Sequence, residues 1–234
     1  MKSNFISKRL KENILDALAP LHCCICSQHI DENTIIHRIC DSCYVTFPLA
    51  PSSDVILNTL YRKYSSETYL LQLQSVFEFH NEGLVQKAIH EMKYRHGKRM
   101  AFDFGISLQK NIQRLSIDTI VPIPLHSARQ RERGFNQSFE IARGVAIGYD
   151  LPVSDCIKRT MYTPTQTTLS IQDREVNVSN VFFIKDFNVC RNKDILLIDD
   201  VLTTGATLES CASLLLENGA RSVSALTIAA ARLN

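Results

Sequence analysis

Short aliphatic runs alternate along the chain with longer segments in which apolar residues recur every three or four positions. The clearest run is Ile195-Leu196-Leu197-Ile198. Four consecutive aliphatics predict a strand covered on both faces, as in a parallel sheet. Leu208, Cys211, Leu215 and Leu216 follow at helical spacing, and Gly219 marks the stop. The same grammar recurs upstream. Leu70 to Phe79 is of strand type, Leu84, Ala88, Ile89 and Met92 predict a helix, and Phe102 to Leu115 predicts another. Ile117 to Pro124 reads as a short strand ending in a Pro-Ile-Pro turn, Asn136 to Ala146 as a helix, and Ser222 to Ala230 as a final buried strand. Strands alternating with helices predict an α/β domain, a parallel sheet flanked by helices.

The N-terminal part follows a different pattern. Leu10, Ile14 and Leu18 recur at four-residue steps and predict one amphipathic helix ended by Pro20. Pro48 to Ser53 is rich in proline and serine and reads as a linker. The expected division is a module over 1–50 and a larger domain over 54–234, with 54–115 leading into a core at 116–234.

Composition narrows the classes. At 234 residues, 45% hydrophobic and 21% charged, the chain suits one α/β domain plus a small module and is not of disordered type. A net charge of +2 excludes a bulk polycation, so any basic contact must be local. No window approaches the ~20 apolar residues that a membrane helix needs. Met1 to Leu21 is broken by Lys2, Lys8, Arg9, Lys11, Glu12 and Asp16 and is not a secretory signal. The expected setting is cytoplasmic, without membrane insertion. There, eight cysteines point to metal ligands or buried thiols before disulfides.

Cys23 and Cys26, with Cys40 and Cys43, give a C-x2-C-x13-C-x2-C spacing, close to that of a zinc ribbon. Two such knuckles supply four thiolates to one tetrahedral Zn²⁺ with no open position, a structural and not a catalytic site. The apolar-poor loop between them would not fold without that staple. Cys24 and His22 are competing ligands on sequence grounds. Cys156, Cys190 and Cys211 are scattered and read as small buried hydrophobes.

The chemistry concentrates after the Ile195–Ile198 run. Asp199 and Asp200 come first, then Val201, Leu202, Thr203, Thr204, Gly205, Ala206 and Thr207, then the helix. Gly205 lets successive N–H groups converge, and with the helix start they form an anion site for a phosphate. The threonine hydroxyls add donors. The two acids lie too close to that phosphate to bind it, and suit sugar hydroxyls or a hydrated Mg²⁺ further along the same ligand. A phosphate and a vicinal diol on one molecule describe ribose 5-phosphate. Two basic segments accompany the site. Lys93-Tyr94-Arg95-His96-Gly97-Lys98-Arg99 is a compact cluster suited to phosphates or a nucleic-acid backbone. Arg129, Arg131 and Arg133 approach a turn at Gly134, and arginine forks suit a pyrophosphate.

The stretch from Ile195 to Thr207 closely resembles the diphosphoribosyl-binding signature of type I phosphoribosyltransferases. Val121-Pro122-Ile123-Pro124-Leu125-His126, Arg133-Gly134-Phe135-Asn136-Gln137 and the four-cysteine ribbon extend the likeness to the ComF family, the competence-associated, phosphoribosyltransferase-like proteins that include the GntX relatives. The resemblance runs from Cys23 to the C-terminus. It includes Lys158-Arg159-Thr160, Thr165-Gln166, Leu169-Ser170, Arg174, Asn177 and Phe182, which resemble the segment forming a mobile flap in type I phosphoribosyltransferases. It implies a type I phosphoribosyltransferase-like sheet behind a zinc ribbon. By the same resemblance, Asp199 and Asp200 are the catalytic pair, and Val201 and Thr203–Thr207 the phosphoribosyl loop. Pro122, Lys93, Arg129, Arg133 and Arg174 fall to the pyrophosphate and flap, with Mg²⁺ accompanying the sugar diphosphate.

Three functional classes follow. Family likeness implies a phosphoribosyl pyrophosphate-binding protein serving DNA uptake, with single-stranded DNA and the uptake machinery as partners and Arg95, Lys98, Arg99 and Arg131 tracking phosphates. The second is an active transferase acting on an unidentified acceptor in nucleotide or base salvage. The third is a nucleotide-sugar sensor without turnover. No acceptor-recognition motif stands out, and the sequence does not fix an oligomeric state.

Overall fold

A computed structural model describes residues 21–31, 33–63, 68–94, 97–109, 116–159 and 181–231. In chain order the elements are α1 (Asp41–Tyr44), α2 (Ser53–Lys63), β1 (Gln72–Phe79), α3 (Leu84–Tyr94), α4 (Gly97–Gln109), β2 (Thr119–Pro122), α5 (Ser127–Arg133), α6 (Gln137–Tyr149), β3 (Ile157–Arg159), β4 (Phe182–Ile184), β5 (Asp194–Leu202), α7 (Ala206–Glu217) and β6 (Ser222–Ala231). A 3₁₀ turn at Phe187–Val189 leads into β5. The predicted N-terminal helix, the 110–115 end of the second upstream helix, Arg95 and Arg174 lie outside the described residues.

Four strands form one parallel sheet in the order β1-β6-β5-β2. The aliphatic runs explain why. Along β5, Leu196 and Ile198 point into one buried cluster, whereas Ile195 and Leu197 point into the other. β6 divides likewise, with Leu226 and Ile228 opposite Val223 and Ala225. A strand apolar at successive positions thus satisfies two cores at once, because its side chains alternate between faces. Ile89, Phe104 and Ile141, from α3, α4 and α6, cover the first face; Leu60 of α2 and Leu208 and Leu215 of α7 cover the second.

The cysteine module is not a separate bead. Ile36, Ile39 and Phe47 share the first buried cluster with Phe104, Ile120 and Leu226. Asp103, buried on α4, accepts from the His37 N–H at 3.0 Å, and Lys87 Nζ donates to the Ile25 carbonyl at 2.9 Å. Pro48 to Ser53, expected as a linker, is used structurally. Ala50 N–H donates to the Val76 carbonyl and the Glu78 N–H to the Pro48 carbonyl, so the segment lies antiparallel along the outer edge of β1. Prolines fit there because an edge segment needs only half of its backbone groups in the ladder.

β3 and β4 pair antiparallel apart from the main sheet, Ile157 opposite Ile184. They form the base of the segment likened to a flap; positions 160–180 between them lie outside the described residues. The basic cluster is helical where described: Lys93 and Tyr94 end α3, and Gly97, Lys98 and Arg99 open α4. Among the described residues, no helix is long and apolar enough to cross a membrane.

Candidate ligand site and candidate metal centre

β5 carries both acids to its carboxyl end, at the centre of the sheet. Its neighbour β2 ends alongside, with Pro122 opposite Ile198 and the Ile123 N–H donating to the Ile198 carbonyl at 2.9 Å. The proline turn and the acid pair therefore share one rim, where ligands bind in open α/β sheets. Beyond Leu202 the chain turns through Thr203, Thr204 and Gly205, and α7 begins at Ala206. Gly205 has φ 85°, a left-handed conformation that a side chain would disfavour. Thr203 and Thr204 are exposed above this turn. A turn with exposed hydroxyl residues thus stands on a helix N-terminus, next to two carboxylates.

The acids have different surroundings. Asp199 Oδ1 accepts from Ser138 Oγ at 2.9 Å and from the Asp200 N–H at 2.9 Å. Asp200 is 6% exposed. Its Oδ1 accepts from the Val201 N–H at 2.7 Å, and its Oδ2 takes Lys93 Nζ at 2.7 Å and Gln137 Nε2 at 3.2 Å. Burial first, and then the neighbouring Asp200 charge, push the Asp199 carboxyl up to about 7, while the Asp200 N–H and the Ser138 hydroxyl pull it down.

The Arg133–Ser138 stretch has a physical reason at each position. Gly134, φ 77°, closes α5 in the left-handed region. Phe135 is buried against Gly97, where a Cβ would lie 2.0 Å from its ring, so it belongs to the core. Asn136 caps α6 by accepting from the Ser138 N–H, and its amide donates to the Ile123 carbonyl. Gln137 and Ser138 then reach the two acids. Arg133 donates to Gln137 Oε1 at 3.1 Å and lies over the Tyr94 ring at 5.4 Å, so this arginine is built into the acid pair's support.

The remaining cations separate. Arg129 lies close enough to Arg159 that, after burial, it is the next cause lowering the Arg159 pKa, and Asp199 acts in the opposite sense. Arg131 is exposed on α5. Arg99 bonds Asp103 through Nε at 3.1 Å, facing the cysteine module. One cleft of about 360 Å³ lies between α5, α6 and the β3–β4 pair and is lined by Lys98, Phe139, Lys158, Arg159 and Lys185 among others. A second, of about 440 Å³, is lined by His37, Tyr94, Lys98, Arg99 and Arg133.

Three residues that matter here were not singled out as site residues on sequence. Gln137 and Ser138 are the first two residues of α6, a polar pair opening a helix whose following turns are buried, and that placement was the available signal. Arg159 stood in the flap-like segment with no sign that it would lie half-buried near Asp199.

The metal centre is compact. The Sγ atoms of Cys23, Cys26, Cys40 and Cys43 all lie within 4.8 Å of one another, and Cys26 Sγ and Cys40 Sγ are 3.8 Å apart. A tetrahedral Zn²⁺ with bonds of about 2.3 Å needs sulfurs about 3.8 Å apart, so the donor set fits. The Ser42 hydroxyl, 3.1 Å from Cys40 Sγ, is the first of the influences that lower the pKa of this thiol, whereas burial and the neighbouring sulfurs raise that of Cys43. The competing ligands fall outside the group. Cys24 packs against the core and burial pushes its thiol up to about 11; His22 bridges to His29.

Residues 135–232 match the phosphoribosyl transferase domain family. Competence protein F of Haemophilus influenzae is 29% identical over 63% of this chain and 62% of its own. Competence protein ComFC of Bacillus subtilis is 29% identical over 68% of this chain and 64% of its own. The DNA utilization protein YhgH of Escherichia coli is 37% identical over 45% of this chain and 46% of its own. The chain thus spans about half to under two thirds of the length of these relatives. The domain match and the motifs of the rim agree: residues 135–232 carry a phosphoribosyl transferase domain, in a chain similar to two competence proteins and a DNA utilization protein.

Proposed function

We propose that this chain binds phosphoribosyl pyrophosphate, or a related ribose 5-phosphate, at the carboxyl end of β5, and that it serves DNA uptake. The observation that carries the ligand reading is the adjacency of the turn bearing exposed Thr203 and Thr204, on the α7 N-terminus, with the Asp199–Asp200 pair. The backbone amides and hydroxyls from Thr203 to Thr207 take the 5-phosphate, with the helix dipole favouring its charge. The acids face the ribose. The diphosphate extends toward the Pro122 turn, where Arg129 and Arg159 supply cations; Arg174 joins them in this reading. Mg²⁺ bound with the diphosphate would screen its charge, with Asp199 as the residue that would stand nearest its hydration shell. The four thiolates hold a structural Zn²⁺. The DNA-uptake assignment comes from the names of the relatives, two competence proteins and a DNA utilization protein.

Calorimetry with phosphoribosyl pyrophosphate and Mg²⁺ tests the ligand. Wild type is expected to bind, and an Asp199→Asn/Asp200→Asn variant that stays folded to lose at least about tenfold in affinity. Equal binding by both overturns the reading. Pyrophosphate release on adding a candidate base would assign transfer as well as binding; tight binding with no release from any base leaves a sensor or adaptor.

A second reading concerns nucleic acid. Tyr94, Lys98, Arg99 and Arg133 line a cleft open to solvent, with aromatic and cationic groups interleaved as a single strand's bases and phosphates require. Salt-dependent retention of single-stranded DNA that falls on Lys98→Glu and Arg131→Glu supports it; retention unchanged by both removes it.

A further inference from the structure

The first cysteine knuckle is a short antiparallel hairpin. The Cys23 N–H donates to the Gln28 carbonyl at 2.8 Å, and the Ile30 N–H to the Leu21 carbonyl at 2.9 Å. Ser27, with φ 64°, turns the chain between the two arms. His22 and His29 stand directly opposite each other across this hairpin. The two backbone bonds flank them without joining them. They are therefore a non-hydrogen-bonded pair, the kind that brings facing side chains closest. Their chain neighbours Cys23 and Ile30 are buried, and alternation along each arm turns both imidazoles outward to solvent. The ring centroids are 6.0 Å apart and the ring planes lie at 86°.

We propose that His22 and His29 together chelate a divalent transition cation, at a site separate from the four-thiolate centre. Two imidazoles on one ion, with metal–nitrogen bonds of about 2.0–2.1 Å, hold their centroids roughly 5 Å apart. The observed 6.0 Å is longer by about 1 Å, a gap that small rotations of two exposed side chains close. Imidazole nitrogen selects Zn²⁺, Ni²⁺ or Cu²⁺ over Mg²⁺, which takes oxygen ligands. Electrostatics favour a cation here. Four thiolates outweigh the charge of one Zn²⁺, so the loaded centre is a local anion, and its ligand Cys23 directly follows His22. Two protein ligands leave the remaining positions to water, so this ion exchanges, unlike one closed in by four cysteines.

The experiment uses the full chain, zinc-loaded, with Ni²⁺ titrated calorimetrically and zinc content followed by metal analysis. Wild type is expected to take up one Ni²⁺ beyond its zinc and to give no response to Mg²⁺. His22→Gln and His29→Gln are each expected to weaken Ni²⁺ binding at least about tenfold. The double variant is expected to fall little further than either single one, because losing one imidazole already breaks the chelate. His80, paired with Glu78 at 3.0 Å on β1, supplies the control: His80→Gln binds Ni²⁺ as wild type does. Zinc stays at one per chain in every variant, which also reports that the knuckle is still folded.

Wild type taking up no Ni²⁺ beyond its zinc overturns the proposal, as does unchanged Ni²⁺ affinity in His22→Gln and His29→Gln. Strictly additive losses in the double variant overturn chelation by the pair. Loss of zinc from either single variant overturns the separateness of the two sites, since that histidine then belongs to the thiolate centre.

Discussion

α4 and α6 cross so closely that two glycines touch, and this contact sets where Gln137 and Ser138 stand. A Cβ on Gly144 would lie 2.2 Å from the Phe102 carbonyl oxygen, 2.8 Å from Gly105 Cα and 2.9 Å from the Ile106 nitrogen. All three are backbone atoms, so no side chain can swing away, and the helices must part by on the order of 1 Å to restore ordinary contact. α4 is anchored by Met100, Ala101, Phe104 and Leu108, each 0% exposed. Overpacking of such a site costs about 1–3 kcal/mol, and the backbone clash puts Gly144→Ala at or beyond the upper end. Alanine's better helix propensity returns about 1 kcal/mol, leaving a net loss of about 2–3 kcal/mol. At about 2–4 °C per kcal/mol for a chain of this size, Tm should fall by about 5–10 °C. Gly148, one turn later, is the internal control. A Cβ there meets only the Gln109 side chain, at 2.4 Å, which can rotate away at the expense of its bonds to the Gly144 and Val145 carbonyls. That loss of about 1 kcal/mol is offset by the propensity gain, so Gly148→Ala should lie within about 1 kcal/mol of wild type. Scanning calorimetry on the two variants decides. Equal Tm values would refute the close-crossing argument, and with it the claim that helix packing places the support for the acids.

Three further outcomes follow. Cys24→Ser should keep stoichiometric zinc while a Cys23→Ser/Cys40→Ser variant loses it, as read by metal analysis; unchanged zinc in the double variant removes the proposed centre. Asp103→Ala removes the acceptor for the His37 N–H and Arg99, which should cost about 1–3 kcal/mol in urea unfolding and speed zinc extraction by a chelator. The Asp199 carboxyl, held at about 7 in the folded chain, keeps a proton that the unfolded chain releases near the ordinary carboxylate value of about 4. Stability therefore falls as pH rises between those values, and Asp199→Asn should be more stable than wild type at pH 8, an advantage that vanishes by about pH 4.

Much of the rim was legible because its chemistry is contiguous in sequence. Asp199 to Thr207 lie on one strand–turn–helix, so residue order alone places acids beside a phosphate-sized turn. The cysteine spacing was legible for the same reason, since each knuckle is local. What escaped was support arriving from elsewhere: Gln137 and Ser138 from α6 and Arg159 from β3; Lys93 of α3 was readable as a cation suited to pyrophosphate, but not its ion pair with Asp200. Arg133 was readable as a cation suited to pyrophosphate, but its bond to Gln137 depends on how α5 turns into α6. The Pro48–Ser53 segment carried the composition of a linker, which does not distinguish free chain from an edge segment laid along β1.

By itself, the sequence determined the elements and the chemistry carried within single elements: aliphatic runs buried on two faces, a glycine able to turn at position 205, four thiols in two local pairs. Those depend on periodicity and on neighbours a few residues apart. Tertiary structure alone decided that Asp199 and Asp200 are unequal. Their difference lies in which hydrogen-bond donors the packed helices bring to each oxygen, and Lys93 and Gln137 stand 107 and 63 positions from Asp200 along the chain. Separations of that size leave no periodic trace, because only the folded core fixes which faces meet.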